Sequence, residues 1–410
     1  MCSEFYYLNH EATDFHTTEQ IVTILVLSLT AFLLYLLYER ITLDRVRRKV
    51  PLVITVTGTR GKSSVVRLLA SVLRESGRKV LAKTTGSQAQ YMYPDGTIHA
   101  VPRRGMVSIL EQKKTLKKAA SLGADCLVVE VMSVHPANHL VESQRILKPD
   151  TVLLTNVRRD HTDAMGETEG EIARVLALDF APGAEVILPG EYRDLMRSST
   201  SSESNFRFHT SPAGAASSLA LDKQRPGRAA LSANYDLVTA AARKIGIPDD
   251  VIARGMNRAV YDIGEFKIWM YSIDGKEIFV VNAFAANDPE STRQLYDATR
   301  TALTDVAASY TGLLHLRSDR ADRTFQWLES LRGENALQFR QLFVVGGHAR
   351  ATTRKIKNAK VLRSDDPAAI MSSIGSQVNN RSVVFGFGNI GGIGARLVEY
   401  WNQGGEAYGT

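Results

Sequence analysis

One short stretch carries most of the chemical information in this chain. Gly58-Thr59-Arg60-Gly61-Lys62-Ser63-Ser64 follows a strand-like run, Val50–Thr57, and leads into Ser63–Ser76, where apolar residues recur at helical spacing. Glycines let a backbone curl until its N–H groups face a phosphate, and the start of the next helix adds partial positive charge. In such a loop Lys62 reaches the β- and γ-phosphates and the Ser63 hydroxyl ligates Mg²⁺. The spacing is shorter than the common G-x-x-x-x-G-K-[ST], with Val56 where the first glycine would stand. A lysine in an ordinary strand-to-helix turn is the plainer reading, and the strand–loop–helix context favours the nucleotide.

Other charged residues also sit where apolar runs end. Glu130 closes the run Asp125–Val131, and Asp160, His161 and Asp163 follow Thr151–Val157. Arg317, Asp319, Arg320 and Arg323 follow the run Gly312–Leu316. The carboxyl end of a strand is where α/β sheets place ligands, although a solvated charged loop has the same composition. Arg103-Arg104-Gly105 lies in a loop marked by Pro and Gly, and arginine pairs carboxylates bidentately, so these two guanidinium groups suit an acidic polymer. Gly386-x-Gly388-x-x-Gly391 has dinucleotide-fingerprint spacing, but no second strand follows to carry the expected acid. It reads as a last strand-to-helix turn, with room for an anion at the helix end.

The elements that must position these residues alternate along the chain. Lys79–Thr84, Asp125–Val131, Thr151–Val157 and Glu185–Leu188 are strand-like, and helical stretches separate most of them. Ser198–Ser218 is rich in Ser, Ala and Gly and reads as a surface excursion, while Tyr235–Gly246 returns to a helical pattern. Near Asp262–Gly264 the pattern restarts. Lys267–Ser272 and Lys276–Asn282 predict a hairpin around Asp274-Gly275, followed by strands at Leu313–Leu316, Gln341–Val345, Lys360–Leu362 and Ser382–Phe385. The expected fold is α/β: a doubly wound parallel sheet of the phosphate-loop type over residues 50–263, then a smaller α/β domain over 264–410.

Ahead of both lies the uncharged run Ile21–Tyr38, long enough to cross a bilayer as a helix. Arg40, Arg45, Arg47, Arg48 and Lys49 follow it, and no Lys or Arg precedes it. By the positive-inside rule the N-terminus lies outside and the rest of the chain is cytoplasmic. Residues 1–49 thus form a tail, a membrane anchor and a basic juxtamembrane segment. The formal net charge of +7 suits nucleic acid, a membrane surface or an acidic substrate. Nucleic acid is the weakest of the three, because no zinc finger, RNP-type aromatic motif or lysine tail occurs. Cys2 and Cys126 have no metal-ligand spacing, and Cys126 reads as a reduced thiol in a buried strand.

Taken together, the motifs resemble those of the Mur ligase superfamily, which includes folylpolyglutamate synthase. Gly58-Thr59-x-Gly61-Lys62-Ser63, Glu130-Val131-x-Ser133, Thr155-Asn156-Val157-x-x-Asp160-His161-x-Asp163 and the helix bearing Asn234 are similar to family segments and come in family order. The string TNVRRDHTDAMG and the N-terminal anchor resemble, within it, the ligase subunits of poly-γ-glutamate synthases. The resemblance implies ATP and Mg²⁺, two ions in all, with Ser63 and Glu130 on one metal and His161 on the second. It implies Asn234 near the adenine, Arg317 and Asp319 at ribose and phosphates, and catalysis by Lys62, Glu130 and His161. Arg103, Arg104, Arg320 and Arg323 are the substrate candidates.

The implied activity is carboxylate activation as an acyl-phosphate, then addition of glutamate to growing poly-γ-glutamate. Small membrane subunits of a synthase and export complex are the implied partners, and a homo-oligomer stays open. A ligase of this superfamily acting on another acid also stays open, as does a nucleotide-regulated membrane scaffold. Two departures stand out. No lysine occurs between Lys148 and Lys223, where many Mur ligases carry a carbamylated one; Arg174 lies near that place. Ala286 stands near the usual third-domain histidine.

Overall fold

The computed structural model describes residues 2–86, 89–103, 105, 107–200, 205–222, 232–260, 264, 266–286, 288–333 and 336–408, with side chains from Gln20 onward, Asp322 excepted. Two sheets organise them. The first contains β1 (Leu52–Thr57), β2 (Val80–Lys83), β3 (Gln90–Met92), β4 (Ile98–Ala100), β5 (Cys126–Glu130), β6 (Thr151–Leu154), β7 (Glu185–Pro189) and β8 (Arg207–Ser211). Their order is β4-β3-β2-β5-β1-β6-β7-β8. β2, β5, β1, β6, β7 and β8 run parallel, and the short β3 and β4 add an antiparallel edge. The sheet is therefore mixed rather than wholly parallel. The central strands are buried on both faces and read as continuous apolar runs, as in LVITVT and CLVVE.

The second sheet contains β9 (Lys267–Ile273), β10 (Lys276–Asn282), β11 (Ser309–Leu316), β12 (Gln341–Gly346), β13 (Ala359–Val361), β14 (Ser382–Gly388) and β15 (Glu406–Ala407). Its order is β13-β12-β11-β14-β10-β9-β15, with β9 antiparallel to both its neighbours. The expected hairpin is present. Asp274 and Gly275 both have positive φ, 49° and 73°, which a two-residue turn between twisted strands requires.

Register fixes the site. Val56 of β1 lies opposite Glu130 of β5, and Thr57 lies opposite Leu154 of β6. The loops leaving β1, β5 and β6 therefore rise side by side from one edge of the sheet. Behind them the helix Lys62–Glu75 is buried from Val65 to Leu73 and packs on the helices Ser232–Lys244 and Asp249–Asn257.

β8 corrects the expectation of an irregular excursion over Ser198–Ser218. Its segment, RFHTS, has no aliphatic run, but it pairs with β7 along its whole length. The expected break near 263 lies beside residues 261–263, which fall outside the described residues.

One helix, Cys2–Arg48, carries the N-terminal segment into the first sheet's core. Its apolar side chains from Ile21 to Tyr38 are exposed, whereas Leu43 is buried with Val50, Leu81, Leu116 and Leu127. Lys113 bonds Glu39 at 2.7 Å, Lys148 bonds Asp44 at 2.5 Å, and Arg47 donates to Asp150 and to the carbonyls of Leu147 and Lys148. The base of this helix is thus part of the folded body.

Gly255 lets two helices touch through their backbones: a Cβ there would lie 2.5 Å from Val72 Cα. Gly255→Ala should therefore destabilise the full-length protein by about 1–3 kcal/mol through overpacking. Urea unfolding in detergent measures it, and an unchanged midpoint would contradict this packing.

Candidate active site

The glycine loop after β1 is held by the loop after β6. Gly58 has φ 122°, and a Cβ on it would sit 2.2 Å from Thr155 Oγ1, so no larger residue fits. Asn156 latches the loop. Its Oδ1 accepts from Thr59 Oγ1 at 2.7 Å and from the Arg60 N–H at 3.0 Å, and its Nδ2 donates to the Arg60 carbonyl at 3.1 Å. Gly61, with φ 81°, packs against the Asn234 amide. Lys62 Nζ donates to the Gly58 carbonyl at 2.6 Å, folding back over the loop, and Ser64 lies half-buried in the first turn of the helix.

Glu130 meets this loop from β5. Its Oε2 accepts from Ser63 Oγ at 2.7 Å and from the Thr85 N–H at 2.8 Å, and the residue is 4% exposed. Lys62, Glu130 and His161 line one cleft of about 170 Å³, with Gly58, Thr59, Thr85, Asp160 and His139. Ser63 Oγ and Glu130 are adjacent hard oxygen donors, which suits Mg²⁺. Among the described residues no three His, Cys, Asp or Glu side chains converge as a cage. A few protein oxygens completed by phosphate and water is the usual way Mg²⁺ is held, so the residues fit that ion.

Ion pairs of three arginines join the second sheet's unit to the loops around the cleft. Arg323, 5% exposed, donates to Asp160 Oδ1 at 3.0 Å. Arg60 bridges Asp160 at 3.3 Å and Asp288 at 3.1 Å, and Arg158 reaches Ser291 and Glu290. Burial alone would raise the Asp160 carboxyl, but Arg60, His161, Arg323 and Lys62 outweigh it and hold it below the ordinary carboxylate value. Burial, reinforced by Arg323, Arg320 and Lys62, pushes His161 below the ordinary imidazole value against the pull of Asp160. At neutral pH His161 therefore presents a neutral ring, the form that binds a metal.

Some expected residues lie apart from the cleft. Arg317 and Asp319 are exposed and pair with each other at 2.7 and 2.9 Å, and Arg320, half-buried, precedes the helix Ala321–Ser330. Arg103 is held by Glu111 at 2.9 Å, and Arg104 lies outside the described residues. Arg174 is exposed and does not line the cleft.

A buried polar network behind the cleft wall escaped the sequence reading. Glu142, fully buried in the π-helix Val141–Leu147, accepts from the N–H groups of Met132 and Ser133, from Ser133 Oγ and from Gln112 Nε2. Gln112 Oε1 in turn accepts from Lys83 Nζ, which also bonds Glu111 at 3.1 Å. Beside it, Asp179 accepts from Thr57, Ser143 and His139. Polar residues spaced through amphipathic helices were the only signal, and they name no partner.

Known proteins are similar to this chain in both of its sheet-bearing parts. Residues 56–178 match the Mur ligase middle domain, and residues 268–404 match the C-terminal domain of the poly-γ-glutamate synthase CapB. A Mur ligase middle domain is thus followed by a CapB-type C-terminal domain. CapB relatives run along most of the chain. The capsule biosynthesis protein CapB of Bacillus anthracis is 27% identical over 393 residues, covering 93% of this chain and 82% of that one. The PGA synthase CapB of Bacillus subtilis is 27% identical over 361 residues, covering 85% and 90%. The fold is shared more widely. A bifunctional folylpolyglutamate synthase/dihydrofolate synthase from Yersinia pestis, solved with AMPPNP and Mn, superposes with TM-score 0.61 at 14% identity, covering 88% of this chain and 93% of that one. This chain is an ATP-dependent ligase.

The Asn156 latch predicts a kinetic signature. Asn156→Ala removes three hydrogen bonds to the loop and should raise KM for ATP by about tenfold or more. Steady-state ATP turnover measures it; an unchanged KM would show that the latch does not hold the nucleotide.

Proposed function

We propose that this chain is a membrane-anchored ligase that adds glutamate to growing poly-γ-glutamate with hydrolysis of ATP to ADP and phosphate. The carrying observation is the convergence of the glycine loop, Lys62, Ser63 and Glu130 at one sheet edge in a chain with a CapB-type C-terminal domain. Joining a carboxylate to an amine in water is uphill. Transfer of the γ-phosphoryl group to the polymer's terminal carboxylate makes an acyl-phosphate that an amine then attacks, with the nucleophile and phosphoryl group positioned rather than chemically altered by protein groups. Loop N–H groups and Lys62 neutralise phosphate charge. Ser63 and Glu130 would hold Mg²⁺, and His161 a second one; such ions supply positive charge to the transferring oxygens. Asp160, ionised and clamped by Arg60 and Arg323, ties closure of the second unit to completion of the site.

Asn234, against the loop at Gly61, is the candidate for adenine, and Arg317 with Asp319, at the end of β11, the candidates for ribose and phosphates. Arg103, Arg104, Arg320 and Arg323 remain the candidates for acidic substrate. Residues 21–38 anchor the chain in the bilayer with the catalytic body cytoplasmic, which suits a product that is exported as it grows. Small membrane subunits of such a complex would meet this segment.

In membranes holding the complete synthase, glutamate should release ADP and phosphate together with a growing acidic polymer. AMP and pyrophosphate as products would overturn the acyl-phosphate route. Lys62→Ala should lower turnover at least about 100-fold. Polymer synthesis surviving that change would favour a nucleotide-regulated scaffold. Chelating Mg²⁺ should stop turnover, and restoring it should recover the rate. Arg103→Ala combined with Arg104→Ala should raise KM for polymer or glutamate; an unchanged KM removes these arginines from substrate binding.

A further inference from the structure

The cleft contains an imidazole to which the ligase reading above gives no task. His139 sits in the short helix Pro136–Leu140, is 2% exposed, and lines the cleft with Lys62, Glu130 and His161. Its Nδ1 faces both oxygens of Asp179, at 2.9 and 3.0 Å. Asp179 is fully buried and also accepts from Thr57 Oγ1 and Ser143 Oγ, so it is an acceptor on every contact and keeps the ring's proton on Nδ1. Asp179 does not line the cleft, whereas His139 does, and its second ring nitrogen, Nε2, is buried. Among the described residues that buried nitrogen has no hydrogen-bond partner. A buried polar atom without a partner costs stability, so its retention beside a reaction cleft calls for a task.

We propose that His139 is the base that takes a proton from the incoming amino acid, with Asp179 as its positioning residue. The inference rests on the acyl-phosphate reading. An amino acid arrives as an ammonium ion, whose nitrogen has no lone pair with which to attack. Nε2 accepts one proton, giving a free amine and an imidazolium whose charge Asp179 balances. The amine nitrogen then bonds to the acyl carbon, and the carbon–oxygen bond to phosphate breaks with its electron pair on phosphate. The nitrogen's second proton ends on the departing phosphate, and His139 returns its own to solvent.

Burial opposes charge on this ring, but Asp179, with help from Glu142 and against Lys62, lifts it above the ordinary histidine value, which strengthens the base. Glu130, Asp160 and His161 are the other titratable groups of the cleft. Because the value is raised, the active neutral form is lost as pH falls through it.

The test separates the two half-reactions in the full-length protein, using ATP, a poly-γ-glutamate oligomer, and either glutamate or hydroxylamine as the amine. Hydroxylamine is already unprotonated at neutral pH and needs no base. His139→Gln should lower glutamate addition by roughly 100-fold or more while hydroxamate formation falls by less than about threefold. Parallel loss of both reactions overturns the proposal, as does loss of neither. Wild-type protein that forms no hydroxamate overturns the acyl-phosphate reading instead. Should the variant not fold, the wild-type pH profile decides. Glutamate addition should level off before glutamate's own ammonium group titrates, with a rise that hydroxamate formation does not share; a shared rise, or one continuing to that titration, rules His139 out.

Discussion

The close approach of two strand ends, β1 and β6, governs the rest of the site. At Gly58 the backbone comes so near Thr155 that a single added carbon would collide, and φ 122° is open only to glycine without strain. This contact lets Asn156 reach across and bond the loop at three points. The loop then stands over the start of a helix whose body is buried, so its N–H groups are fixed in direction before any nucleotide arrives. Preorganised donors of this kind cost no reorganisation during reaction, which is why they stabilise phosphate charge so effectively.

Behind that loop the protein buries charge, and it does so in networks. Lys83 and Glu142 are completely covered, a costly arrangement unless every polar atom has a partner. Lys83 meets Glu111 and Gln112, and Glu142 collects four donors. Burial lowers the Lys83 amine and raises the Glu142 carboxyl, each opposed by its partners. The loop Met132–Ser133 is pinned by Glu142, and Glu130, which faces Ser63, lies two residues before it. Rigidity at the chemical edge is therefore supplied from the interior, and the π-helix that offers Glu142 and Ser143 in succession is the device that reaches both networks.

Much of this was legible in the chain, and the rest was hidden for definite reasons. The long apolar strands and the Asp274-Gly275 hairpin announce themselves because burial on both faces and a two-residue turn leave local signatures. β3 and β4 have three residues each, and β8 is a largely polar segment held by its pairing with β7 and by Phe208 against the core. The contiguous loop Gly58–Ser64 was readable because all its groups act within one turn of chain. His139, Glu142 and Asp179 were not, since Asp179 finds Thr57 across 122 positions and a lone polar residue in a helix names no partner.

The sequence by itself determined the apolar N-terminal helix, the longer buried strands with the Asp274-Gly275 hairpin, and the glycine loop between β1 and its helix, because each depends on neighbours a few residues away. Tertiary structure decided which loops share an edge, through the register of β1 with β5 and β6. It also decided that Arg323 and Arg60 meet at Asp160, while Arg317 and Asp319 satisfy each other in solvent. The physical reason is the range of the forces: backbone propensity and hydrophobic periodicity are written locally. A buried charge takes its partner from whichever strand end the fold brings within about 3 Å, the reach of a hydrogen bond.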